Sequence, residues 1–231
     1  MKFSKQEKLI IAGAVATSVV LGIVVFISIR NKKKKLTKLN PLQKALKSVA
    51  EEDSKKWAGK KETDPEVSDL LIGYWKLLGN TFTPAQMQSS SFQDKWYWSS
   101  AYVSHLLNSA GFNFKPRSYH STYTVDAKEN RTQGTKSAFW AYRPTENKKV
   151  EIGDVLVKNR GGSNYTYDTI QRSVPSHGDV VVDFLEKDGK RYAVTQGGNV
   201  GNSVTKTNYE LTSNDLVANP TKFIAHLKYE K

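Results

Sequence analysis

Ser99, His177 and Gln196 are the residues of this chain whose types and positions suit acyl transfer. A serine hydroxyl is a weak nucleophile until a base takes its proton, so any such reading needs a histidine beside it. Ser99 follows Trp96-Tyr97-Trp98 and opens a stretch with helical spacing. A helix start offers unpaired backbone N–H groups and the positive end of the helix dipole, which stabilise an anionic nucleophile or an oxyanion. His177 stands at the entrance of the apolar run Gly178 to Phe184, read as a strand. Gln196 ends the partner strand, where its side chain could orient the imidazole. Nucleophile, base and orienter would thus come from one helix start and two neighbouring strands.

Each of these residues also has an ordinary structural role open to it. Ser99 could be an N-cap. His177 could be a hydrogen-bonded strand residue, and Gln196, before Gly197-Gly198, part of a turn. Asp154 after Gly153 reads as a turn residue, and Asp179 as a polar group at a strand start. Trp96, Tyr97 and Trp98 read as core or groove wall before they read as a ligand platform. The chain has no cysteine, which excludes disulfides, thiolate zinc sites and a thiol nucleophile. Its histidines, His105, His120, His177 and His226, form no i, i+4 pair and no H-E-x-x-H motif, so neither a metal nor another cofactor is expected.

The elements that must hold these residues are legible in part. Asp64, Pro65 and Glu66 announce a helix with the stripe Val67, Leu70, Leu71, Tyr74, Leu77 and Leu78, stopped at Gly79-Asn80. A second helix runs from Ser99 to Ala110, with Tyr102, Val103, Leu106 and Ala110 inward and Gly111 as its stop. After Gly111 the pattern becomes β-like. Val150 to Val157 is a turn feeding a strand, and 158–175 is a loop. Gly178 to Phe184 and Arg191 to Gln196 form a hairpin about Asp188-Gly189, and Lys222 to Tyr229 is the last strand. Helices first and an antiparallel sheet after predict an α+β fold.

Ahead of this domain lies an uncharged apolar run, Leu9 to Ile29, with lysines on both sides. Its length of about 21 residues suffices to cross a bilayer as a helix. It is longer than the core of a cleaved signal, and the small-residue site Ala14-Val15-Ala16 falls inside it. A single-pass protein of a bacterial or virion membrane is expected, with the lipid bilayer as a partner. Both flanks are basic, and the excess at Arg30 to Lys38 favours the cytoplasmic side for the domain, against a wall-directed role. The side is left open, since a virion membrane could deliver a domain assembled inside to the wall. Residues 30–62 read as a lysine-rich stalk whose Leu39, Leu42, Ala45, Leu46 and Val49 recur at helical spacing, a spacer or else an amphipathic helix lying on the membrane surface. The net charge is +13, but residues 1–62 hold 15 of the 35 Lys/Arg and only 5 of the 22 Asp/Glu. The domain from 63 to 231 is nearly balanced, which argues against nucleic acid as a partner and for anionic headgroups near the span.

Lys95-Trp96-Tyr97-Trp98-Ser99-Ser100-Ala101-Tyr102-Val103 resembles the W-C-A-A-F-V helix start of the CHAP and NlpC-type cell-wall amidases and peptidases. It is closer still to the W-S-A-x-F-[IV]-S form of a serine-bearing bacterial and phage branch, domain-of-unknown-function family 2272. Further pieces of that branch follow in order. They are Ala110-Gly111-Phe112, Tyr119 to Tyr123, Ile152-Gly153-Asp154-Val155 through Arg160, Ser176 to Val182, and Gly197 to Val204. The resemblance covers about residues 65–228 and implies a papain-like core. It implies the nucleophile at Ser99, where the wider superfamily has cysteine, the base at His177 and the orienter at Gln196, with Asn199 nearby. His120 belongs to the branch's own pattern and is expected as a second polar group in the cleft, with Trp98, Asp179 and Asn199 as binding residues. The expected function is a membrane-anchored, peptidoglycan-directed amidase or peptidase, in one context a phage virion-associated lysin. The alternatives are an inactive cleft that binds wall peptides or a partner protein, or a structural virion membrane protein.

Overall fold

Asn40 caps the first helix among the described residues. Its side chain accepts from the Gln43 N–H (3.0 Å) while the Gln43 side chain accepts from the Asn40 N–H (3.1 Å). That reciprocal box, with Pro41 in the first turn, starts helix α1 (Pro41–Lys56). A computed structural model describes residues 38–231. The Leu9–Ile29 segment lies outside the described residues. Among the described residues no helix is long and apolar enough to cross a membrane.

The stalk expected from 30 to 62 is corrected from residue 40 on by α1, its first part lying outside the described residues. Leu46, Ala50 and Asp53 of this helix are buried, and so is Trp57 just beyond it. Gln43 Nε2 donates to the Ile152 carbonyl (3.2 Å), Lys47 pairs with Asp183 (2.7 Å), and Ser54 Oγ donates to Gln196 Oε1 (3.0 Å). Asn40–Lys231 is one compact unit. The apolar spacing at 39–49 reflects packing against the domain, not a spacer.

A 3₁₀ turn (Pro65–Val67) leads into α2 (Ser68–Lys76), short helices α3 (Pro84–Met87) and α4 (Ser90–Gln93), then α5 (Ser99–Ser109). The helix expected from Asp64 therefore starts with a tighter turn. The Asp64 carboxylate does not cap it, but accepts from the Lys61 N–H (2.8 Å). α5 ends as expected at Gly111 (φ 88°).

Next comes an unanticipated helix, α6 (His120–Gln133). Its buried residues are His120, Ser121, Tyr123, Thr124 and Ala127, a face of polar and small side chains with no apolar stripe to announce it. Six strands follow: β1 (Ala138–Tyr142), β2 (Val155–Asn159), β3 (Ser176–Lys187), β4 (Lys190–Gly197), β5 (Thr205–Leu211) and β6 (Ala225–Glu230). They form one antiparallel sheet in the order β1-β6-β2-β3-β4-β5. The fold class is α+β, as read from the sequence. β1 and β5 were not anticipated; both are edge strands, β5 largely polar and exposed, β1 a short apolar run that lacks period-two alternation.

Val150, Leu156, Val181, Ala193, Leu211, Val217 and Phe223 form one apolar cluster. A second layer is aromatic: Trp57 stacks on Trp98 at 4.8 Å, and Tyr102 meets both Trp98 and Tyr74 edge-on. Such pairs add about 0.5–1.5 kcal/mol each beyond the area they bury. α5 packs on α1, β3 and β4, and α6 packs on β1 and β3. The first residues of α5 and α6 are thereby brought to the start of β3.

Candidate active site

Ser99 is the first residue of α5 and is not its cap; Trp98 holds the cap position and makes no side-chain capping bond. The Ser99 hydroxyl is turned instead to His120, the first residue of α6, with Oγ 2.7 Å from Nε2. The other ring nitrogen, Nδ1, is 2.6 Å from the Tyr123 hydroxyl one turn along α6. An i, i+3 step on a helix places those side chains together. Ser99, His120 and Tyr123 thus form one hydrogen-bonded chain that is almost wholly buried, Ser99 at 2% and His120 at 3% exposure.

His177 and Asp179 alternate along β3, two residues apart and on one side of the strand. His177 Nε2 is 2.7 Å from Asp179 Oδ1, and the two rings His120 and His177 lie 5.1 Å apart. On β2, Lys158 sits opposite His177 in the ladder. Its ammonium reaches Tyr209 (2.6 Å) and Asp179 Oδ2 (3.3 Å). Arg160, just past the end of β2, holds Nη1 at 3.5 Å from Ser99 Oγ and its guanidinium over the Tyr97 ring.

Two glycines make this closeness possible. A Cβ on Gly178 would overlap the Tyr123 hydroxyl and come within 3.0 Å of His120 Nδ1. A Cβ on Gly197 would overlap Asp179 Oδ1 and come within 3.2 Å of His177 Nε2.

The electrostatics follow from burial and from the cations. Burial, then the charge of His177, holds the His120 pKa well below the usual imidazole value, and Arg160 and Lys158 push the same way against Asp179. His120 is therefore neutral at neutral pH. Burial works to raise the Asp179 pKa, but the His177 hydrogen bond and the charges of His177 and Lys158 outweigh it and hold the carboxyl down to about 2. Burial keeps the Tyr123 phenol protonated, its pKa pushed well up.

The expected site residues divide. Ser99, His120, His177 and Asp179 come together. Gln196 does not: its amide nitrogen donates to the Ala50 carbonyl (2.9 Å) and meets the Tyr102 hydroxyl (2.6 Å), while Oε1 accepts from Ser54. It locks α1 and α5 to β4 and leaves nothing for His177, whose partner is Asp179. Trp98 is likewise no cleft wall. Fully buried, it stacks on Trp57 and donates Nε1–H to Glu62 Oε2 (2.7 Å). Asn199 stands in the turn after β4 with φ 55° and makes no hydrogen bond to the cluster. The pairing of Ser99 with His120 rather than His177 was missed, as were Tyr123, Lys158, Arg160 and Tyr209. Tyr123 and Arg160 each end a piece of the family pattern, and Tyr123 also stands i, i+3 from His120, a spacing invisible while α6 was unread.

A family model described as "Uncharacterized protein conserved in bacteria (DUF2272)" matches residues 54–231. The chain belongs to this family. The matched span contains every residue of the cluster, together with the last turn of α1. No curated protein and no solved structure matches the chain. Among the described residues of this DUF2272 member, no group of three or more His, Cys, Asp or Glu is arranged to hold a metal ion. Chemically, the cluster pairs a hydroxyl with a neutral imidazole at the start of a helix. A second imidazole–carboxylate pair and two cations stand beside them.

Proposed function

We propose that this chain is a serine-dependent amidase or peptidase directed at peptidoglycan, with Ser99 as nucleophile and His120 as general base. It has a papain-like, NlpC/CHAP-like core and is held at a bacterial or virion membrane by the Leu9–Ile29 segment. One observation carries the reading: the 2.7 Å contact between Ser99 Oγ and Nε2 of a neutral His120. The substrate class rests on the resemblance of the helix start to cell-wall amidases.

In this reaction the Ser99 proton passes to His120 Nε2 as Oγ attacks the amide carbonyl. The oxyanion faces the uncapped first turn of α5, where backbone N–H groups stabilise it. His120 then gives its proton to the leaving amine, and water repeats the sequence on the acyl-enzyme. His177, held by Asp179, contributes to the field around His120 and is a positioning residue in this scheme. That moves the base from His177, where the resemblance puts it, to the histidine that touches the hydroxyl.

The near-complete burial of Ser99 favours a second reading, an inactive cleft that binds wall peptides. Digestion of purified peptidoglycan by the full-length chain in mild detergent separates the two, with released fragments read by mass spectrometry. The hydrolase reading expects fragments from wild type and a loss of at least about a thousandfold in Ser99→Ala and about a hundredfold in His120→Ala. Folded wild type that pellets with the wall and releases nothing supports the binding reading.

A further inference from the structure

Six arginines lie among the described residues, and five of them are paired with carboxylates. Arg117 and Arg172 hold Asp126, Arg131 holds Glu146, Arg143 holds Asp168, and Arg191 holds Glu186 and Asp215. Arg160 is the exception: it makes no ion pair among the described residues. Its backbone is nonetheless fixed. The Arg160 N–H donates to Ser163 Oγ (3.2 Å) and its carbonyl accepts from the Ser163 N–H (3.3 Å), closing a turn over Gly161-Gly162 at the end of β2. The side chain crosses the exposed Tyr97 ring at 5.3 Å and ends 3.5 Å from Ser99 Oγ.

From this we infer that Arg160 and Tyr97 form a carboxylate-binding subsite beside Ser99, so that the preferred acyl substrate carries a free carboxylate close to the scissile carbonyl. The inference rests on the hydrolase reading for its substrate and adds the charge that the substrate must bear. A guanidinium presents a planar fork of donors that matches a carboxylate bidentately. In a folded domain that fork is normally satisfied, as at the other five arginines. Here the fork meets only a serine hydroxyl at 3.5 Å and no carboxylate among the described residues. The surroundings also leave an anion wanting. Lys158 and Arg160 are opposed by Asp179 alone, and Asp179 is already taken by His177 and Lys158. Tyr97, more than half exposed, gives the guanidinium a ring to rest on without consuming its donors. A ligand carboxylate drawn to Arg160 would lie close to a carbonyl positioned at Ser99, three or four bonds along the substrate chain. A peptide with a free C-terminus and a peptide with an acidic side chain next to the scissile bond both present that chemistry.

The test measures binding apart from turnover. Full-length Ser99→Ala protein in mild detergent is titrated by calorimetry with three probes. They are N-acetyl-D-alanyl-D-alanine, its C-terminal carboxamide, and N-acetyl-D-glutamyl-D-alanine carboxamide, whose only carboxylate is in the side chain. Inorganic phosphate serves as a competitor. The expected result is that one or both carboxylate probes bind about tenfold or more tighter than the carboxamide. Adding Arg160→Gln removes that preference and Arg160→Lys restores part of it, with unchanged thermal unfolding. The tighter of the two acids identifies the carboxylate's source. Equal binding of acids and carboxamide, a preference that survives Arg160→Gln, or displacement by phosphate at lower concentration than by the acids would each overturn the subsite. An Arg160-dependent preference in a protein whose wild type digests no peptidoglycan leaves the subsite standing and removes the hydrolase. Digestion without that preference does the reverse.

Discussion

Two buried histidine–aspartate pairs stand in this sheet, and they have nearly the same local chemistry. His177 meets Asp179 on β3, and His226 of β6 meets Asp154 in the turn before β2, each with Nε2 at 2.7 Å from a carboxylate oxygen. Each aspartate also has a lysine, Lys158 at 3.3 Å and Lys228 at 2.9 Å. What surrounds the pairs differs. Asp154 Oδ2 also accepts from the Glu151 N–H, and Lys228 is further tied to the Lys149 carbonyl and to Glu151. Every partner there comes from the turn or from β6, so the group fastens 149–154 to β6. Around Asp179 the balance is left open: a second imidazole, a serine hydroxyl and an arginine without a counter-ion stand beside it. A buried histidine–aspartate pair is therefore not itself the mark of a site. The uncompensated groups next to one of them are.

The largest effect that tests this contrast is on stability. Asp154→Ala would strand His226 and Lys228 in the interior, and removing one partner of a buried charged pair typically costs about 3–5 kcal/mol. Ser99→Ala deletes one buried neutral contact and should cost about 1 kcal/mol. Urea unfolding of the two variants reads the difference. Equal costs would mean that the Ser99 cluster is as structural as the Asp154 cluster.

The same contrast explains what the sequence could and could not reveal. Elements that bury apolar faces were readable: α5 through Tyr102, Val103 and Leu106, and the β3–β4 hairpin through its apolar run and Asp188-Gly189. α6 was not, because its buried face is His120, Ser121, Tyr123 and Thr124, which reads as surface unless the residues it meets are known. α1 was seen as helical, but its place in the domain depends on contacts with residues more than a hundred positions away, such as Gln196 and Ile152. Ser99 and His177 were legible by type and position. Which imidazole reaches Ser99 was not, since it depends on how α5 and α6 meet over β3. Gln196 was misread for a related reason: its neighbours in sequence suggest a turn, whereas its partners are on α1 and α5.

A smaller effect should appear in the pH dependence of stability. Asp179 is held down to about 2 in the folded chain, against an ordinary value of 3.8. Its contribution is therefore complete above about pH 4 and is lost as pH falls toward 2, roughly 2 kcal/mol in all. His120 is held below 6.5, so below that pH the unfolded chain takes up a proton that the folded chain refuses, and stability again falls with acid. Urea midpoints for wild type and His120→Gln should converge as pH drops from about 6.5 to about 4, because the variant lacks that proton uptake. Parallel curves would mean that His120 is not held neutral by its surroundings.

The smallest effect concerns the link that sets the role of His120. Nε2 can accept the Ser99 proton only when the ring hydrogen is on Nδ1, and that hydrogen needs an acceptor. The Tyr123 hydroxyl, 2.6 Å away, is what meets Nδ1. In Tyr123→Phe the buried Nδ1–H would have no partner, so the ring should shift toward the Nε2–H tautomer, which donates to Ser99 instead of accepting from it. A penalty of about 1 kcal/mol for an unmade neutral hydrogen bond corresponds to a loss of roughly fivefold to tenfold in kcat/KM. Imidazole ¹⁵N shifts of His120 would report the tautomer directly. A fall in turnover that accompanies the tautomer shift supports His120 as the base. A tautomer shift with turnover unchanged would take the base role from His120 and return it to His177.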